Sequence, residues 1–383
     1  MKKEWKIKQF TDCIQRVKSS KKIPKKEFLL EGVFPIVSQE KDLITGYWDN
    51  LEDVYKVDKP VVVFGDHTKV IKYIDFDFVK GADGIVILLP IKDLNSKFFA
   101  YQLQNIRLED LGYARHYRLL KESELVIPPL SEQKQIVEIL DQAFEAIDQA
   151  KANIEKNIVN AKELFQSKLN EIFSQKGEGW EDKKLKEITT KIGSGATPRG
   201  GQSSYKETGI SLIRSMNVHD DGFRKRKLAF IDEEQASKLN NVTIKEKDVL
   251  LNITGASVAR CCIVDSEFLP ARVNQHVSII RLKDGIMNHR FLHYALTSSE
   301  TKNLLLGIGA QGATRQAITK VQIENFKIKF PTDMRQQNKI VESLDVIREE
   351  ASLIDSHYTK KQTSLEELKK SILQKAFSGE LTN

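Results

Sequence analysis

Among 383 residues there are three cysteines, Cys13 and the adjacent pair Cys261 and Cys262, none in Cys-x-x-Cys spacing. An odd total without that spacing argues against a disulfide framework and suits a reducing cytosol. The seven histidines, His67, His116, His219, His276, His289, His293 and His357, never join cysteines at zinc-finger spacing, so no structural metal is expected. His289 and His293 stand four apart, yet HRFLH lacks the glutamate of a hydrolytic HExxH site and reads as a surface helix. No stretch approaches the run of about 18 apolar residues that spans a bilayer, and MKKEWKIKQF has no signal-peptide core. A soluble, cytoplasmic protein is expected.

Catalytic signatures are missing as well. The sequence holds no GxxxxGK[ST] phosphate loop, no GxSxG elbow, no GxGxxG after a strand and no [DN]PP[YF] tetrapeptide of an adenine methyltransferase. GSGATPRGG at 193–201 lacks the lysine and hydroxyl that a phosphate loop needs and reads as a flexible loop. The chain is therefore expected to perform no chemistry and to hold no cofactor.

What is present is a soluble globular balance, 30% charged and 40% hydrophobic, in a chain long enough for two domains. The formal net charge of +7 is compatible with a polyanionic partner but modest for this length. The strongest signal is a repeat. Residues 133–174 align without a gap on residues 337–378, with 14 identities in 42 positions where chance gives roughly two or three.

Periodicity identifies the repeated piece as a long helix. Ile136, Leu140, Ala143, Ile147, Ala150, Ile154, Asn157, Ala161, Leu164 and Lys168 step alternately by four and three, with Ile158, Phe165, Leu169 and Ile172 widening the face. The second copy places Ile340, Leu344, Ile347, Ala351, Ile354, Tyr358, Lys361, Leu365, Leu368 and Ile372 on the same seam. Asn157 and Lys361 are equivalent polar seam positions, which either fix coiled-coil register or preserve one tolerated flaw. Ser131 is a candidate N-cap for the first helix and Asp333 with Gln336 a capping box for the second; Gly177 and Gly379 mark the ends. Two such amphipathic helices bury their seams most simply against each other, antiparallel if the chain has two-fold symmetry.

The intervening segments are diverged copies of a mixed α/β module. Each opens on a tryptophan, Trp5 or Trp180, and carries a strand run ending at a glycine turn, PVVVFGDHT at 60–68 or DVLLNITGAS at 248–257. Second runs follow, GIVILLP at 84–90 and HVSIIRL at 276–282, then short helices from Phe98 and Arg290. Both modules finish with a glycine and an arginine, Gly112 with Arg115 and Gly312 with Arg315, and a strand leading to proline. This gives an α+β organisation: a first head 1–127, a long helix 128–176, a second head 177–331 and a second long helix 332–383. Retained helices beside diverged heads suggest two readers gripped in the same way.

Candidate nucleic-acid contacts lie in loops of both heads. Base-edge readers of the right chemistry are Asp66, His67, Thr68 and Lys69 in the first, and Asn252, Thr254, Arg260, Asn274, Gln275 and His276 in the second. Arg115, Arg199 and Arg315 are further candidates. Arg224, Lys225, Arg226 and Lys227 follow the turn HDDG, and Lys18, Lys21, Lys22, Lys25 and Lys26 cluster in the first head; backbone contact and a solvated charge run both fit them.

The order head, helix, head, helix, with IPPLSEQKQIVEILD at 127–141, its copy PTDMRQQNKIVESLD at 331–345, GADGIVILLP at 81–90 and LQKAFSGELT at 373–382, resembles the specificity subunits of type I restriction-modification systems. The second copy departs from the Pro-Leu-x-Glu-Gln element at Arg335, Gln336 and Gln337. The resemblance implies two target recognition domains on an antiparallel helix pair, each reading half of a bipartite sequence in double-stranded DNA. It implies two copies of a modification subunit, which holds S-adenosylmethionine, and a restriction subunit, which uses ATP and Mg. From the sequence three other readings stand: a specificity subunit serving a fused methyltransferase-nuclease, a coiled-coil adaptor between proteins, and a nuclease or methyltransferase with cryptic motifs.

Overall fold

The computed structural model describes residues 4–17, 20–82, 84–112, 114–174, 179–310 and 316–382. Four helices organise it: α1 (Ser96–Asn105), α2 (Leu130–Ser174), α3 (His289–Thr297) and α4 (Met334–Ser378). Contacts divide the chain into two compact units, Met1–Glu155 with Tyr358–Asn383, and Lys156–His357. The division cuts through both long helices, so each head groups with the start of the helix that follows it and the end of the other.

In the first unit, strands Ile14–Gln15, Ile85–Pro90, Val61–Gly65 and Ile71–Ile74 form one sheet in that order. The apolar run at 61–64 is continuous because both of its faces are covered. Val62 and Phe64 join the core that contains α1, whereas Val61 and Val63, with Ile74 of the same sheet, pack against Val37 and Phe78 of a second sheet. That second sheet orders Lys22–Ile23, Phe78–Gly81, Phe34–Val37 and Gly46–Trp48, with Val54–Tyr55 also on Phe78–Gly81. The second unit repeats the plan. Thr189–Ser194, Val277–Leu282, Val249–Asn252 and Cys261–Ile263 form one sheet; Ala229–Ile231, Ile210–Ile213, Ala271–Val273 and Thr243–Ile244 form the other. Each second sheet holds a parallel pair, Phe34–Val37 with Phe78–Gly81 and Ile210–Ile213 with Ala271–Val273.

The long helices pair antiparallel within each unit. Lys151 meets Glu366 and Lys369 lies 3.6 Å from Asp148 in the first; Lys162 lies 3.0 Å from Asp355 in the second. Individual seam positions differ from the heptad reading. Leu164 is 66% and Leu368 47% exposed, while Ile136, Ile147 and Leu169 are buried and Ile158 half-buried at eleven-residue steps. Eleven residues over three turns lie close to the helix's own 3.6 period, so the buried stripe follows a nearly straight helix. Toward their ends both helices turn this stripe to a head, with Phe165, Leu169 and Phe173 in one core and Leu373, Ala376 and Phe377 in the other.

The starts of the helices are built identically, though not by Ser131, which lies inside α2. Pro129 supplies the carbonyl that accepts from Glu132 and Gln133 N–H, Asp333 the carbonyl that accepts from Gln336 and Gln337 N–H, and the Asp333 side chain also accepts from Arg335 N–H at 2.9 Å. Gly379, at φ 87°, terminates α4, and Glu380 N–H returns to the Lys375 carbonyl. Gly177 lies outside the described residues.

A repeated clamp joins head to helix. Gln133 is fully buried; its side-chain oxygen accepts from Asn95 N–H at 2.8 Å and its nitrogen donates to the carbonyls of Asp93 and Pro128. Gln337 does the same with Asn288 N–H and the carbonyls of Ile286 and Pro331. Asn95 and Asn288 are the N-caps of α1 and α3. Two residues on, Lys97 and Arg290 pair with Asp141 and Asp345; six residues on, the hydroxyls of Tyr101 and Tyr294 donate to the same carboxylates. Burial and these carboxylates push both phenols above their ordinary range. Between them Phe98 packs on Phe377 of α4, and Phe291 on Phe173 of α2.

The surface-helix expectation for HRFLH is corrected by this arrangement: α3 is the docking helix, buried from Phe291 to Thr297. The His293 ring lies 3.3 Å from the Cys261 carbonyl, and burial lowers its pKa to about 4. Cys13, Cys261 and Cys262 are free and buried, with thiols raised by desolvation. No helix among the described residues is long and apolar enough to cross a membrane.

Two outcomes are expected. Gln133→Leu and Gln337→Leu each strand one backbone N–H and two carbonyls, so each should cost about 2–4 kcal/mol in denaturant unfolding of its own head. Loss below 1 kcal/mol would show the carboxamide to be dispensable. For His293 the folded ring stays neutral while the unfolded ring takes up a proton below pH about 6.5. Stability should therefore fall between pH 6.5 and 4, by roughly 3 kcal/mol in total. His293→Gln should lack this loss, and parallel pH curves for the two proteins would contradict it.

Candidate nucleic-acid interface

The sequence candidates gather at equivalent hairpins. In the first head Gly65 N–H donates to the Val70 carbonyl at 2.8 Å and Lys69 N–H to Gly65 at 2.7 Å, with Lys69 left-handed at φ 59°. In the second, Asn252 N–H donates to Arg260 at 2.7 Å and Ala259 N–H to Asn252 at 2.9 Å, with Ala259 at φ 65°. Positive φ in a side-chain-bearing residue is costly and persists where the surrounding structure imposes it. Two further segments converge on each hairpin. Asp66 N–H reaches the Gly84 carbonyl and its own carbonyl accepts from His116 N–H; Ile253 N–H reaches His276 and accepts in turn from Ile318 N–H.

Some candidates build the turn. Asp66 is buried, accepts from Tyr117 N–H at 2.8 Å and sits 3.9 Å from the Arg115 guanidinium. Asn252 is buried and donates to the Ser215 carbonyl at 2.9 Å; Asn274 is buried and accepts from His276 N–H at 3.0 Å. Thr68 donates its hydroxyl to the Gln39 carbonyl at 2.6 Å, and His67 N–H donates to the Gln39 side chain at 3.2 Å. Lys69 lies 3.3 Å from Asp110.

Others face outward. Arg115 has 78% of its side chain exposed, and Arg199, Gln275 and Lys225 are also exposed. Thr254 and His276 touch through hydroxyl and Nδ1 at 2.6 Å, and Gln275 accepts from the Thr197 hydroxyl at 2.5 Å. The glycine-rich loop is held at its root: a Cβ on Gly195 would lie 1.8 Å from the Val273 carbonyl, so only glycine lets residue 195 meet Asn274. It follows strand Thr189–Ser194, and it carries Thr197 to Gln275 and Arg199 to the surface.

The basic runs are partly occupied. Arg224 lies 2.8 Å from Asp221, and the carbonyls of Arg224 and Arg226 hold the Asn217 side chain. Lys227 is left-handed at φ 56° and its carbonyl accepts from Arg214. Lys21 pairs with Asp53 and Lys25 with Glu40. Arg315, Gly312 and Lys18 lie outside the described residues. Asn157 and Lys361 are both solvent-exposed, Lys361 lying over the Tyr358 ring, whereas setting register by a polar seam residue requires burial.

Sequence reasoning missed Gln39, Ser215 and Met216. Ser215 and Met216 line an open cleft of about 620 Å³ together with Thr254, Ser257, Arg260 and His276. They arrive there because strand Ile210–Ile213 pairs parallel with Ala271–Val273, a non-local pairing without a local sequence signature. Among the described residues no group of His, Cys, Asp or Glu could hold a metal ion.

The sequence profile described as Type I restriction modification DNA specificity domain matches residues 2–159 and 177–363. The chain is 26% identical over 290 residues to the Type I restriction enzyme EcoBI specificity subunit of Escherichia coli, covering 69% of this chain and 60% of that protein. It is 24% identical over 424 positions to the MjaVIII specificity subunit of Methanocaldococcus jannaschii, covering 99% and 93%. In fold it is similar to a chain of a type I R-M system solved in a study of complex assembly and conformational transition, with TM-score 0.75, 19% identity and 99% of both chains covered. The HsdS subunit from Thermoanaerobacter tengcongensis is also similar, with TM-score 0.56, 18% identity and coverage of 100% and 98%. With one match on each head and its following helix, the chain belongs to the type I restriction-modification DNA specificity family.

Proposed function

We propose that the chain is the DNA-specificity subunit of a type I restriction-modification complex, non-catalytic itself, with each head reading one half of a bipartite target in double-stranded DNA. One observation carries this reading: the clamps at Gln133 and Gln337 are alike group by group, while the hairpins at 65–70 and 252–260 differ in length and chemistry. Like mountings with unlike tips suit two different half-sites held at a fixed separation. Arg115, Lys69 and His67 in the first head, and Arg199, Arg260, Gln275 and His276 in the second, are the side chains proposed to meet DNA. Arg224, Lys225, Arg226 and Lys227 are proposed to contact its backbone.

The long helices supply the spacer and the docking surface for two methyltransferase subunits. Ile139, Val159, Leu164, Val346, Leu353 and Leu368 are exposed apolar residues on them, which fits partner helices. S-adenosylmethionine then belongs to the modification subunit, ATP and Mg to the restriction subunit, and the assembly to the cytoplasm. Exchanging residues 177–331 for the corresponding head of a relative should change one half of the methylated sequence in cells carrying the complete system. A change in both halves, or in neither, would exclude two independent readers.

A further inference from the structure

The two hairpins close with the same backbone bonds around loops of unequal length, residues 66–69 in the first head and 253–259 in the second. In the first head the space beside the short loop is filled. A Cβ on Gly65 would lie 2.3 Å from the Thr68 hydroxyl and 3.0 Å from Gln39, and one on Gly84 would lie 2.8 Å from the His67 ring. In the longer loop of the second head Thr254, Gly255, Ala256 and Ser257 border the 620 Å³ cleft instead.

Arg260 lines that cleft, and its guanidinium has no hydrogen-bond or ion-pair partner among the described residues. Among the described residues no carboxylate borders the cleft. Its backbone is fixed, because its carbonyl accepts from buried Asn252 N–H and the preceding Ala259 is held left-handed. Within the same lining the His276 Nδ1 and the Thr254 hydroxyl are engaged with each other. Met216, Ala256 and Ala317 make the remaining lining mainly apolar, beside Ser215 and Ser257.

A guanidinium offers donors only, in a planar fork, so its ligand must present adjacent acceptors. Phosphate and guanine both do so. Apolar walls suit the flat edge of a base better than a hydrated anion. In the major groove guanine alone shows two acceptors side by side, O6 and N7; adenine couples its N7 to a donor, cytosine offers a donor and thymine one acceptor beside a methyl group.

We infer that Arg260 reads a guanine in the half-site bound by residues 177–331. This rests on the DNA-reading function proposed above and names the base that the second head selects. The hydroxyl–imidazole pair Thr254–His276 forms the neighbouring wall, and the longer hairpin gives this head a recess where the first has a filled turn.

The test is selection from a randomised duplex library by the full chain assembled with its methyltransferase partner, comparing wild type, Arg260→Gln and Arg260→Ala. Wild type should require guanine at one position of one half-site. Arg260→Gln should weaken that requirement roughly ten-fold or more and turn it toward adenine, leaving every other position unchanged. Arg260→Ala should flatten the same position without favouring any base. Since the side chain is bonded to nothing among the described residues, both variants should melt with wild type. An unchanged motif overturns the inference, as does affinity lost equally on all sequences with a shallower salt dependence, the mark of a phosphate contact. A wild-type complex that selects no sequence overturns the DNA-reading function and the inference together; a selective wild type with an indifferent Arg260 overturns only the inference.

Discussion

A buried carboxamide at the start of each long helix is the constraint on which the rest depends. Gln133 and Gln337 have no access to water, and each satisfies a backbone donor at the N-cap of a docking helix and two carbonyls at the helix entry. Unmade, those bonds would leave three polar groups stranded in each core. The carboxylate eight residues on, Asp141 or Asp345, fixes the first two turns of the docking helix through a cation and a tyrosine, and an aromatic from the other long helix packs on the phenylalanine between them. Each head is thereby held by both helices.

This accounts for seven of the fourteen positions at which the two helices agree in sequence. Gln133, Ile136, Val137, Leu140 and Asp141 recur as Gln337, Ile340, Val341, Leu344 and Asp345, and Leu169 and Phe173 recur as Leu373 and Phe377. All of these lie in or against a head core or in the clamp. Between Ala146 and Lys162 only Lys156 recurs, as Lys360, because helix–helix packing there accepts any residues of suitable polarity. The hairpins obey a different rule. Their backbone closure is shared, while side chains and loop length are free to change, so specificity is separated from mounting.

Much of the fold was legible in the sequence. The apolar runs at 61–65, 85–90, 249–252 and 277–282 are strands, and the duplicated amphipathic stretches are helices. Their signals are local, carried by periodicity and turn residues. The second sheets were not legible, because short strands such as Lys22–Ile23 and Thr243–Ile244 exist only through partners far along the chain. The burial of α3 escaped because histidine and arginine break its apolar pattern, although His293 is buried neutral and Arg290 serves the clamp. Heptad counting misplaced Leu164 and Leu368 for a geometric reason, since a nearly straight helix drifts from a 3.5-residue seam. At the candidate interface the sequence located the segments, but only the structure separates turn builders such as Asp66 and Asn274 from exposed Arg115 and cleft-lining Arg260.

The claim that each head is held by both long helices is tested most directly by native-state hydrogen exchange on the full chain carrying Phe377→Ala. The account predicts lost protection in Ser96–Asn105, on which Phe377 packs, while His289–Thr297 keeps the protection of the unaltered chain. Unchanged exchange in Ser96–Asn105, or an equal loss in both docking helices, would contradict it.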